Sequence, residues 1–170
     1  TWEYSIDNGV NWSAPLAPTV TEITLPDEAD STYLVKVRQT NASNDSADNQ
    51  PLTSVSDMVE FTVDTSAPFV EVISASSAEQ TITIAYNEAL DPSSVPATTD
   101  YEITQSGNDL TVSEVKFDSE NSNNLLLLID SGLNNGAVRV AYTPSDNLVQ
   151  DAAGNQSTTG FNSMIVSDGY

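Results

Sequence analysis

Apolar residues along this chain occur in short blocks separated by clusters of Asn, Asp, Ser, Gly and Pro. Within the blocks the pattern alternates. Ile82, Ile84 and Tyr86 fall on one face while Thr81, Thr83 and Ala85 fall on the other, and Val138, Val140 and Tyr142 repeat the pattern. A period of two with β-branched and aromatic residues is the signature of half-buried strands. It predicts seven strands in the C-terminal part, over residues 69–75, 80–87, 101–105, 109–118, 124–130, 136–143 and 161–167. Residues 125–129 are uniformly apolar, which predicts a central strand covered on both faces. The alternation slips between Val112 and Val115, which predicts a bulge. Seven strands in roughly 100 residues specify an immunoglobulin-like β-sandwich.

The N-terminal part reads in the same way but is shorter. Strands are predicted at 2–6, 20–25, 33–39 and 58–63, with a hairpin turn at Asn8-Gly9, where both residues tolerate positive φ. So few strands fall short of a sandwich, so a domain lacking its first strands is expected. The joint lies at Asp64-Thr65-Ser66-Ala67-Pro68, where proline stiffens an extended linker. The expected organisation is therefore all-β, a tandem pair of immunoglobulin-like β-sandwich domains over residues 1–66 and 67–170.

Composition narrows the chemistry. The chain has 25 Asp plus Glu against 4 Lys plus Arg, a net charge of −21, and neither His nor Cys. Histidine-based nucleophile systems, thiolate chemistry, disulfides and zinc sites of the usual donor types are excluded. The negative charge repels phosphate backbones and anionic headgroups, so no nucleic-acid partner is expected. No apolar run approaches the ~20 residues of a helical membrane span, so no membrane insertion is expected either. A disordered acidic tail would lack the apolar blocks, and 38% of these residues are hydrophobic.

The acids gain meaning from connectivity. In an antiparallel sandwich entered at the linker, the second, fourth and sixth connections return to the same pole. They carry Glu88, Asp91, Asp100, Glu120, Asp146 and Asp151. The loop at 26–31 of the first domain, with Asp27, Glu28 and Asp30, is expected at that domain's exit, next to Asp64. Crowded carboxylates repel unless a cation sits among them, and calcium takes six to eight oxygens from such donors. The metal-ligand candidates are Asp27, Glu28, Asp30, Asp64, Glu88, Asp91, Asp146 and Asp151. Against each stands a plainer role, because Asp and Asn are ordinary turn residues. Glu88 and Asp91 have the residue types of a glycosidase pair, but their spacing fixes no carboxylate separation, and no enzyme is expected. Trp2, Tyr4 and Trp12 read as core aromatics rather than a sugar platform.

Two resemblances follow from these residues. Trp2-Glu3-Tyr4-Ser5-Ile6-Asp7-Asn8-Gly9-Val10-Asn11-Trp12, Val37-Arg38-Gln39-Thr40-Asn41 and Phe61-Thr62-Val63-Asp64-Thr65-Ser66-Ala67-Pro68 resemble the bacterial Ig-like extender repeats of giant repeats-in-toxin (RTX) adhesins. The chain departs from that pattern after Asn41, where it runs through Asn44, Asp45, Ser46, Ala47, Asp48 and Asn49. Ile84-Ala85-Tyr86-Asn87-Glu88-Ala89-Leu90-Asp91, Val140-Ala141-Tyr142-Thr143-Pro144 and Val149-Gln150-Asp151-Ala152-Ala153-Gly154-Asn155 resemble the SwmB-like repeat of large bacterial surface proteins. The resemblance implies an extracellular, calcium-dependent spacer at the bacterial cell surface, serving adhesion or biofilm formation, and a monomer is expected. Its expected partners are neighbouring domains of the same protein. The alternative is a calcium-dependent domain that binds a glycan or peptide through a long loop expected at 40–57, with Asn44, Asp45 and Asp48.

Overall fold

The computed structural model describes residues 1–25, 30–44 and 51–167, all β apart from one 3-10 turn at Thr98–Asp100. The chain divides into two compact units, Thr1–Thr65 and Ser66–Tyr170.

Unit 1 is a four-stranded antiparallel sheet of β1 (Trp2–Ser5), β2 (Ser31–Asn44), β3 (Pro51–Val55) and β4 (Val59–Val63). The long β2 organises it. Its first half pairs with β4, and its second half pairs with β1 and β3. Tyr33 lies opposite Phe61 in register, and the two rings stack at 5.4 Å. The Asn8-Gly9 turn forms as expected, with both residues at positive φ. Asp7 fastens it by accepting from the Asn11 amide at 2.8 Å, the Asn11 side chain at 2.5 Å and the Ser5 hydroxyl at 2.7 Å.

Two strand expectations fail here. Residues 20–25 form no strand: no described strand runs beside them, and alternation without a partner makes no ladder. Conversely, β3 arises from Pro-Leu-Thr-Ser-Val, which is too polar to stand out by pattern. Most of the described part of 40–57 is thus strand rather than loop.

Unit 2 is a sandwich of two four-stranded sheets. One runs in the order β5 (Val70–Ser76), β6 (Thr81–Tyr86), β10 (Asn124–Ile129), β9 (Val112–Phe117). The other runs β12 (Phe161–Ser167), β11 (Ala137–Tyr142), β7 (Tyr101–Gln105), β8 (Asn108–Leu110). Inward residues of both sheets form one core, with Ile82, Ile84, Leu125, Leu127 and Val140 fully excluded from solvent. Each such aliphatic side chain contributes about 1.5–3 kcal/mol by leaving water.

The block at 109–118 is two strands, because the chain changes sheet at Thr111. The bulge is real: Leu128 pairs with Glu114 and Ile129 with Val112, leaving Ser113 as the extra residue. The run 125–129 is central in its sheet, but only Leu125, Leu127 and Ile129 are buried, while Leu126 and Leu128 remain half-exposed on the outer face. Full coverage on both faces is therefore corrected to coverage on one.

Candidate metal centre

Antiparallel pairing sends the loops 87–100, 118–123 and 143–160 to the pole where the chain enters unit 2. Main-chain bonds tie them together there. The Leu90 amide donates to Ser122 at 2.9 Å, the Asp91 amide to Gln150 at 2.8 Å, and Leu90 bridges Asp151. The Ser94 hydroxyl also donates to the Leu148 carbonyl. The far pole is closed differently, by neutral amides. Gln80 holds both the N–H and the carbonyl of Leu133, and buried Gln105 does the same for Asn134.

The acids of the leading pole have separate employments. Asp151 is buried and turns its own loop, accepting from the Asn155 amide at 2.9 Å and the Asn155 side chain at 2.8 Å. Burial pushes its carboxyl up, but the Asn155, Gly154 and Ala153 donors outweigh this and hold it below the ordinary value. Asp91 accepts from the Ser93 amide, the Ser93 hydroxyl and the Gln150 side chain, and the first of these dominates in lowering its pKa. Both carboxylates are therefore ionised at neutral pH. Glu88 receives the Asn87 side-chain amide at 3.0 Å. Asp146 is exposed.

One carboxylate oxygen of Glu88 and one of Asp151 come within 4.8 Å of one another. Two oxygens that ligate one calcium at 2.3–2.6 Å are separated by no more than about 5 Å, so this pair fits a single ion. Hard oxygen donors without nitrogen or sulfur also match calcium rather than a transition metal. The other candidates distribute as follows. Asp30 accepts from the Thr65 amide at 2.9 Å, so the 30–31 turn does reach the exit of unit 1. Asp64 is half-buried beside it in sequence. Asp27, Glu28, Asp45 and Asp48 lie outside the described residues.

Two acids outside the metal-ligand candidates have structural work. Asp100 is buried and accepts from the Ala97 amide at 3.2 Å and the Ser145 hydroxyl at 3.0 Å, linking two of the pole's loops. Asp118 receives the Glu120 amide at 2.9 Å and so shapes the third. Its place before a Ser-Glu-Asn turn is the available signal for Asp118; Asp100 becomes visible only through its burial.

Two facing antiparallel sheets with an acidic loop pole define unit 2 as a β-sandwich module. The chain belongs to the SWM_repeat family, described as "Putative flagellar system-associated repeat", whose family model matches residues 63–147, half of the chain. The match contains Asp64, Glu88, Asp91 and Asp146 and ends before Asp151. Among solved structures, the chain is similar to the N-terminal part of the bacterial S-layer protein SbsC, with 18% identity and a TM-score of 0.42. That similarity covers 58% of this chain and 22% of the other. A search of curated proteins found no match. Among the described residues, no helix is long and apolar enough to cross a membrane.

Proposed function

We propose that the chain is a non-catalytic structural module of a large bacterial surface protein, an extender region of the RTX-adhesin kind that calcium stiffens. In this reading the module is extracellular, its partners are neighbouring modules of the same polypeptide, and it supports adhesion or biofilm formation at the cell surface. The approach of Glu88 to Asp151 carries the proposal. Two carboxylates this close in a chain of net charge −21 raise each other's free energy, and a divalent cation converts that repulsion into a cross-link between two loops. Asp64 joins the candidates through the covalent chain, being inside the matched repeat and close in sequence to its first strand. The repeat family supports the structural role.

Calcium, supplied in excess and then chelated at fixed ionic strength, tests this by thermal unfolding. The expected result is a rise in Tm with calcium that magnesium does not reproduce. Glu88→Gln should abolish the rise and, by relieving the repulsion, increase the Tm measured in chelator. An identical melt with calcium and with chelator overturns the metal.

A further inference from the structure

The core of unit 2 contains a polar feature that neither the strand pattern nor the acidic pole explains. Tyr101 on β7 and Tyr142 on β11 are direct cross-strand partners, and their rings stack with centroids 4.8 Å apart. Both side chains are more than nine-tenths buried. Partners in register on adjacent strands project from the same face of a sheet, so both phenols enter the core together. Neither hydroxyl has a hydrogen-bond partner among the described residues. Phenylalanine would give the same stack and the same apolar area without burying two O–H groups. Among the described residues, two tyrosines here leave two buried donors without a partner.

The surroundings are polar enough to hold that partner. The Val149 amide acts on the Tyr142 oxygen as a donor, outside hydrogen-bond geometry, and a donor cannot take the phenol's own proton. The buried Asp100 carboxylate, next to Tyr101 in the chain, acts electrostatically on both phenols, and Tyr86 of the facing sheet acts on Tyr101. Tyr101 opens β7, and Tyr142 and Tyr86 close β11 and β6, so all three lie at the strand ends that lead into the acidic loops. Buried polar groups without protein partners are characteristically bridged by internal water making two to four hydrogen bonds.

We propose that Tyr101 and Tyr142 form an internal hydration site, in which a buried water accepts from both hydroxyls. The water is part of the fold, closing the core beneath the segment that leads from Tyr142 through Val149 to Asp151.

The test is a double-mutant cycle in the whole chain, with Tyr101→Phe, Tyr142→Phe and the double variant compared by denaturant midpoint. If the water is present, each single variant lowers the midpoint, because the remaining hydroxyl and the water lose a partner. The double variant then falls by less than the sum of the two, because both hydroxyls serve one water. Single variants with unchanged or raised midpoints overturn the proposal, since they would mean that the hydroxyls are buried without a partner. Two strictly additive losses overturn it as well, since they would mean that each hydroxyl has its own separate partner. NMR in water supplies a second readout: slowly exchanging tyrosine hydroxyl protons with cross-relaxation to a long-lived water support the site. Their absence in a well-folded sample overturns it.

Discussion

Both units are built from the same kinds of strand residue, Val, Ile, Tyr and Thr in alternation, yet they bury them very differently. In unit 2 two sheets face each other, and seventeen buried hydrophobic residues form one cluster. In unit 1 the described strands make a single sheet, and Tyr33 is its one buried apolar residue among those described. Tyr4, Val35, Val37, Val59 and Phe61 alternate as a core face should, but Val59 is 62% exposed and Phe61 37%. Alternation specifies which side of a strand is apolar; only a second layer turns that side into a core. Unit 1 relies more on polar fastenings, such as the Glu3–Arg38 pair at 2.7 Å with the guanidinium lying 4.4 Å over Trp12, and the Asp7 turn. Fastenings of this kind at the surface are weakly stabilising compared with apolar burial.

The largest expected effect separates the two units directly. Both tryptophans belong to unit 1, so their fluorescence reports that unit selectively. In a denaturant titration the tryptophan transition should precede the main circular-dichroism transition, and coincident transitions would break the comparison. Leu127→Ala, at a fully buried position, should cost about 2–5 kcal/mol in the later transition and leave the earlier one in place. Val59→Ala should change stability by about 0.5 kcal/mol or less.

A smaller effect is expected at Gly160, just before β12. A Cβ there would stand 2.5 Å from the Tyr142 carbonyl oxygen and 2.8 Å from the Pro144 ring. Backbone must move to admit it, so Gly160→Ala should lower the unit 2 transition by about 1–3 kcal/mol.

The smallest effect sharpens the view of unit 1. Asp7 is held down to about 2 from an ordinary 3.8, chiefly by the Asn11 amide and then by the Ser5 hydroxyl and the Asn11 side chain. A depressed folded-state pKa means that its stabilising contribution is complete above about 3.8 and is lost as the pH falls through about 2. Tryptophan-detected stability should therefore decline with acid across that window. Asp7→Asn should flatten that part of the pH profile, and an unaltered profile would remove the Asp7 turn from the account of unit 1.

Much of this was legible in the sequence because it follows from local sterics. The apolar blocks located the strands of unit 2 except that β8 and β9 were read as one, the slip at Val112–Val115 located the bulge at Ser113, and Asn8-Gly9 announced its turn. Antiparallel connectivity also sent the acidic loops of unit 2 to one pole, since strand direction alternates whatever the packing. What the residues could not show depends on neighbours distant in the chain. The change of sheet at Thr111, the half-exposed outer face of Leu126 and Leu128, and the failure of 20–25 to find a partner are decided by which strands meet.

The same division runs through the acids. Asp7, Asp91 and Asp118 fold their own turns, accepting from residues two to four positions onward, and such turns are written in local sequence. The approach of Glu88 to Asp151, the burial of Asp100 and the pairing of Tyr101 with Tyr142 join segments far apart along the chain. The sequence by itself determined the strands and the charge of this protein. Only the tertiary structure decided which carboxylates and which hydroxyls came face to face, because those distances are set by how closed sheets and packed loops position residues that have no local relation.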